Sequence, residues 1–197
     1  MSKLRAIVGS GGFGREVFHH IKSASQSECK FFVDDEYANE HASPLSTLDV
    51  NLYDVVVAIG SPVARKAMVQ KLEAMGATFF TFVDPSVINL DYNEVGEGSI
   101  ICAGSILTTN VTLGKHTHLN LQTTIGHDTV VGDYFTTAPG AKISGNCNIG
   151  ECVYFGTNAS VREKIIICDN VTIGLNAGVV KNIVEPGTYV GVPAKKL

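Results

Sequence analysis

No apolar run in this 197-residue chain is long enough to cross a bilayer, so a membrane-spanning helix is excluded as an expectation. Excess positive charge is missing as well. Fifteen Lys and Arg face nineteen Asp and Glu, a net charge of −4, which argues against nucleic acid or an anionic membrane as partner. The five cysteines (Cys29, Cys102, Cys147, Cys152, Cys168) show no C-x-x-C spacing. Cys102, Cys147 and Cys168 fall where a small residue suits the repeat described below. All five read as reduced thiols of a cytoplasmic protein. No histidine stands at ligand spacing from cysteine or carboxylate, so no metal is expected. The opening Met-Ser-Lys-Leu-Arg is too short for a signal peptide.

Most of the chain is a beat of six. Every sixth residue from Val95 to Val179 is Val95, Ile101, Leu107, Leu113, Leu119, Ile125, Val131, Thr137, Ile143, Ile149, Phe155, Val161, Ile167, Ile173 and Val179. Thirteen of these fifteen are aliphatic and only Thr137 is polar. A helix repeats its apolar residues every three to four positions and a strand every two, so neither fits. Short flat strands separated by corners do fit, each strand turning one aliphatic side chain inward. Glycine often follows the beat, as at Gly96, Gly114, Gly126 and Gly150. Without a Cβ it avoids a clash there. The pattern predicts a parallel β-helix over 95–197, with a tail after Val179. Phe135, Tyr154 and Ile166 read as outward apolar residues.

Residues 1–83 have another rhythm. Apolar segments at Leu4–Val8, Cys29–Val33, Asp54–Ile59 and Thr78–Val83 alternate with helical patterns at Arg15–Ser25 and Val63–Met75. Alternation of this kind predicts a small parallel α/β sheet. Residues 84–94 read as a linker. Gly9, Gly11 and Gly14 form G-x-G-x-x-G between the first strand and first helix, and Asp34-Asp35 ends the next strand. That is the Rossmann-like context in which backbone N–H groups receive phosphate and a carboxylate meets a ribose hydroxyl. About 83 residues amount to roughly half of a dinucleotide fold, so one nucleotide diphosphate is expected, and not NAD. A tight turn without a ligand is the alternative.

Six histidines are present. His19, His20 and His41 read as solvated. His116 and His118 lie on the repeat, as surface or interface residues. His127 stands at a corner in Ile125-Gly-His-Asp128, with a carboxylate beside it. A neutral imidazole takes a proton near neutral pH, and the carboxylate can set its tautomer. On spacing alone, a surface histidine remains the plainer reading.

The ordered set Gly9-Ser-Gly-Gly-Phe-Gly14, Phe32-Val-Asp-Asp35, Ala58-Ile-Gly60, Ile125-Gly-His-Asp128, Val131-Gly-Asp-Tyr134, Ala138-Pro-Gly-Ala-Lys142 and Val190-Gly-Val-Pro-Ala-Lys195 spans the chain. In this order the motifs resemble the bacterial nucleotide-linked aminosugar N-acetyltransferases with a left-handed β-helix. They are also similar to the sialic acid O-acetyltransferase branch. The resemblance implies a homotrimer with sites between subunits. It implies a nucleotide-diphosphate amino sugar held by Gly11, Gly12, Phe13, Asp34, Asp35 and Gly60. Acetyl-CoA would lie near Thr136, Gly145, Thr157, Gly174 and Leu175. His127 matches the base and Asp128 its acidic neighbour. Thr136 replaces a frequent histidine, which tilts the reading towards GDP- or dTDP-linked sugars, and Phe13 replaces a frequent histidine or tyrosine. The implied activity is acetylation of a nucleotide-linked 4-amino-4,6-dideoxy sugar for surface glycan synthesis. Its alternative is O-acetylation of a sialic acid. A nucleotide-sensing β-helix without activity, or a serine-type acetyltransferase, fits less well, because His127 is present and the glycine loop suits a diphosphate.

Overall fold

The computed structural model describes residues 3–25 and 29–197; Met1 and Ser2, the first residues read for a leader, lie outside them. Strand β1 (Leu4–Val8) is central in a five-stranded parallel sheet. Its neighbours are β2 (Cys29–Val33) and β4 (Tyr53–Val57), with the short β3 (Ser43–Pro44) and β5 (Thr78–Phe79) at the edges. Helices α1 (Gly12–Ser25) and α2 (Pro62–Ala74) cover its two faces. Alternate strand residues serve alternate faces: Ile7 and Val56 pack with Val17 and Ile21 of α1, whereas Ala6, Val8 and Val55 pack with Met68, Val69 and Leu72 of α2. Ser61 caps α2 by accepting from the Ala64 N–H, and Pro62 occupies its first turn, where a missing N–H costs nothing.

The solenoid begins at Phe82, earlier than the beat indicated. Phe82–Val83 already pairs in parallel with Ile100–Ile101, Ile88–Asn89 with Ile106–Leu107, and Glu94–Val95 with Thr112–Leu113. The stretch 84–94, expected as a linker, therefore forms most of the first coil. Each coil takes 18 residues, as the register Leu107↔Ile125 shows, and contributes one short strand to each of three sheets. The first face holds Ile100–Ile101, His118–Leu119, Thr136–Thr137 and Tyr154–Phe155. The second holds Thr124–Ile125 and Lys142–Ile143, and the third Val130–Val131 and Asn148–Ile149. The beat residues stack inside as one column of core per face.

The glycines after the beat serve coil stacking. A Cβ on Gly114 would stand 2.5 Å from the backbone of Gly132 and Asp133 in the next coil. Left-handed backbone conformations fall instead on other corner residues, among them Asn110, Asp128 and Asn146 at φ 57°, 58° and 58°. Asparagine and aspartate tolerate that region best after glycine. Phe135 is fully buried and not outward as the pattern suggested. It occupies the inward position two residues before the beat, usually a small residue, and meets Phe155 edge-on at 5.8 Å between centroids. Past Val179 the tail returns to the first face: Gly187–Val190 pairs with Val171–Ile173 and then, antiparallel, with Lys195–Lys196.

Candidate active site

The small sheet is docked on the first face of the solenoid by shared apolar packing, by the Lys66–Glu151 ion pair and by one buried cation. Arg65 of α2 is wholly buried, and all the partners it meets across this seam are neutral. Its Nε donates to the His116 carbonyl (3.0 Å), Nη1 to the Ile59 carbonyl (2.7 Å) and to His118 Nδ1 (3.1 Å). Nη2 donates to the Tyr134 carbonyl (2.7 Å) and to Thr136 Oγ1 (2.6 Å). Burial pulls the guanidinium pKa down to about 9, so it stays cationic at neutral pH. Beside it, His116 is stacked on Tyr134 at 5.4 Å and capped edge-on by Phe79. Burial, then the Arg65 charge, lowers the His116 pKa to about 4. His118 is held well below the ordinary histidine value for the same two reasons. Nothing in the sequence marked Arg65, a single arginine on a helix pattern; its partners are more than fifty residues away for all but Ile59.

A cavity of about 620 Å³ opens along this seam. Phe13 at the start of α1 and Gly60, Ser61 and Pro62 before α2 form one wall. His118, Asn120, Thr136, Ala138, Tyr154 and Thr157 of the solenoid form the other. Phe13 and Gly60, expected at the sugar nucleotide, thus share a cavity with Thr136 and Thr157, expected at acetyl-CoA. The Thr136 hydroxyl is engaged: it accepts from Arg65 and donates to the Tyr134 carbonyl at 3.3 Å. Gly11 and Gly12 lead into α1 with open space where a Cβ would stand. A Cβ on Gly14 would collide with the Gly9 carbonyl, so the third glycine of the motif is required by packing.

Asp34 and Asp35, at the carboxyl end of β2, line a separate depression of about 490 Å³ with Ser46 and Lys71. Lys71 Nζ pairs with Asp34 Oδ1 at 2.6 Å. The Ser46 N–H donates to Asp35 Oδ1 at 3.0 Å and holds that carboxyl below its ordinary pKa.

His127 lies elsewhere, at the corner between the second and third faces. Its Nδ1 meets Asp128 Oδ2 at 2.7 Å, and both side chains are about half exposed, at 58% and 46%. Asn110, one coil earlier, donates to Asp128 Oδ1 at 2.7 Å. The Asn110 bond first, and the His127 bond next, hold the Asp128 carboxyl below its usual range. Gly145, one coil later, lies under the ring: a Cβ there would be 2.7 Å from Nε2. The sequence spacing Asn110, Asp128, Asn146 could have revealed this ladder, since each step is one 18-residue coil. Thr157 and Leu175 stack at the corner between the first and second faces, and Leu175 is 72% exposed. Gly174 sits against Val190 of the tail. Within one chain, His127 and Gly145 stand at one margin of the second face, and Thr157, Gly174 and Leu175 at the other.

Residues 6–72 match the family model described as the PglD N-terminal domain. The chain is 28% identical to the GDP-perosamine N-acetyltransferase of Escherichia coli O157:H7 over 82% of its own length and 79% of that protein. It is 31% identical to WeeI from Acinetobacter baumannii AYE, with a TM-score of 0.89 and complete coverage of both chains. It is 26% identical to the acetyltransferase domain of PglB from Neisseria gonorrhoeae FA1090, solved in complex with acetyl coenzyme A, with a TM-score of 0.90 and complete coverage of both. The chain belongs to the hexapeptide-repeat β-helix acetyltransferases that carry a PglD-type N-terminal domain.

Proposed function

We propose that the chain moves acetyl from acetyl-CoA to the amine of a nucleotide-linked 4-amino-4,6-dideoxy sugar, with His127 as general base. The observation that carries this reading is the His127–Asp128 pair: Nδ1 is committed to the carboxylate at 2.7 Å, which leaves the Nε2 lone pair for a proton. A sugar ammonium has no lone pair, so it must lose a proton before it attacks the thioester carbonyl. Nε2 accepts that proton, Asp128 stabilises the imidazolium, and the thiolate of CoA leaves as the tetrahedral intermediate collapses. No acyl-enzyme forms. The oxyanion is met by a backbone N–H, because Thr136 already spends its own hydrogen on Tyr134.

Phe13 and Gly60 hold the sugar end, Gly11 and Gly12 the diphosphate, and Asp34 and Asp35 the nucleoside. Acetyl-CoA runs past Thr136 and Thr157 of one chain and along the corner of Gly174 and Leu175, and the neighbouring subunit supplies His127 with its own Gly145 beside the ring. A homotrimer closes the distance between the two margins of the second face. The name of the Escherichia coli relative favours a GDP-linked sugar. The reading includes a role in surface glycan synthesis such as O-antigen. It also includes a cytoplasmic location, which the five free cysteines support. Among the described residues, no helix is long and apolar enough to cross a membrane.

The test is a panel of GDP-, dTDP- and UDP-linked 4-amino sugars with acetyl-CoA, after a melting-temperature screen with the free nucleotides. The expected product gains one acetyl as a base-stable amide. A base-labile ester, or acetylation of free sialic acid alone, overturns the assignment.

A further inference from the structure

The pair of His127 and Asp128 is steered from one coil earlier. Asn110, Asp128 and Asn146 stack at the corner between the second and third faces, and each backbone N–H donates to a carbonyl of the coil before. The bonds run from Asn110 to Asp91 at 3.3 Å, from Asp128 to Thr109 at 3.1 Å and from Asn146 to His127 at 2.8 Å. Backbone alone therefore closes the corner. Its left-handed conformation does not demand asparagine either, since Tyr134, Cys152 and Lys164 hold φ of 59°, 55° and 61° at equivalent corners. The Asn110 amide serves something else: its Nδ2 lies 2.7 Å from Asp128 Oδ1. A carboxylate only accepts, so the amide N–H donates. The other oxygen, Oδ2, is left for His127 Nδ1 at 2.7 Å. Asn146 approaches the same ring nitrogen from the next coil, but its Nδ2 stands 3.5 Å away, a far weaker contact. The Asn110 bond is also the foremost of the contacts that favour a charged Asp128.

We propose that Asn110 is a positioning residue for the base: it pins one carboxylate oxygen of Asp128, so that the other takes the Nδ1 proton of His127 and Nε2 stays unprotonated. The inference rests on the reading of His127 as the base. Asp128 is nearly half exposed, so without Asn110 its carboxylate turns among several orientations in water. The neutral imidazole then divides between its two tautomers. The fraction with its proton on Nε2 has no lone pair there and cannot accept a proton from the sugar ammonium. Asn110 touches no reacting atom in this scheme; it acts only through Asp128.

The deciding variant of the full chain is Asn110→Gly, because glycine adopts the left-handed corner freely and only the amide is lost. A residue that served the corner alone would make this change silent. The expected result is a kcat about threefold to tenfold lower, with the fold and both KM values unchanged. In an Asp128→Gly background the same change should cost nothing more, as a residue that acts through Asp128 requires. Histidine-selective ¹⁵N NMR reads the tautomer without substrate, at a pH where the ring is neutral, the His127 signals being those absent from His127→Ala. The wild type should carry its proton on Nδ1, and Asn110→Gly should show a mixture with protonated Nε2. A wild-type kcat in Asn110→Gly, an unchanged tautomer, a loss confined to KM, or losses that add in full to those of Asp128→Gly overturn the proposal alone. An active His127→Ala protein overturns the reading of the base, and this inference with it.

Discussion

His127 has one nitrogen tied and one free, and it is exposed enough that its removal should leave the fold alone. His127→Ala or His127→Asn is expected to lose at least about 100-fold in kcat, in line with the removal of a general base. Melting temperature and acetyl-CoA affinity should stay within error of the wild type. Near-normal turnover in single-turnover assays would take the base elsewhere. At the other end of the proposed substrate, Asp35 has a carboxylate oriented by the Ser46 N–H. Asp35→Ala is expected to weaken the sugar nucleotide about tenfold, as loss of a charge-assisted bond does, and to leave acetyl-CoA untouched. Calorimetry with each ligand separately checks this; equal losses for both ligands would point to a damaged sheet.

At the scale of elements, the seam between α2 and the first face is built from histidines that fold in the neutral form. His116 titrates near 4 in the folded chain and near its ordinary 6.5 when unfolded. The unfolded state therefore binds more protons between those values. This contribution to stability is complete above about pH 6.5 and is lost as pH falls towards 4. The expected outcome is a melting temperature that declines over that window, and a shallower decline in His116→Phe, which keeps the ring stacking and discards the titration. An identical slope in the variant would remove His116 as the cause. The coils themselves were legible in the sequence because every one repeats the same inward position. Their beginning was not. Asn89 falls on the beat and is polar, and Val83 is 40% exposed, since no earlier coil covers the first one. The linker reading of 84–94 failed at that point. Phe135 was misread for a different reason: its position was in register, but its size suggested the outside. The His127 corner was readable from local motif alone, whereas Arg65, His116 and His118 come together only through contacts between distant segments, which periodicity does not encode.

For the whole molecule, the decisive distance is the one between the two margins of the second face. His127 at one margin and Thr157 at the other belong to one working site only if two chains supply them. Light scattering is expected to give about three times 20.9 kDa. Inactive His127→Ala chains mixed with inactive Thr157→Trp chains are expected to recover part of the activity after exchange of subunits. An active monomer contradicts the shared site, and a trimer without recovery places both elements on one chain. The constant coil also constrains how this molecule can change length. Insertions of whole multiples of six keep the inward side chains inward, but only multiples of 18 return each strand to its own face. A whole coil added after Thr172 would lengthen the prism and leave the seam as it is. The same coil added between His118 and His127 would move His127 and Thr136 together one rung, about 4.8 Å, away from the wall formed by Phe13 and Gly60. The prism therefore acts as a ruler whose markings may be extended at the far end but are frozen between Arg65's anchor points and the histidine corner.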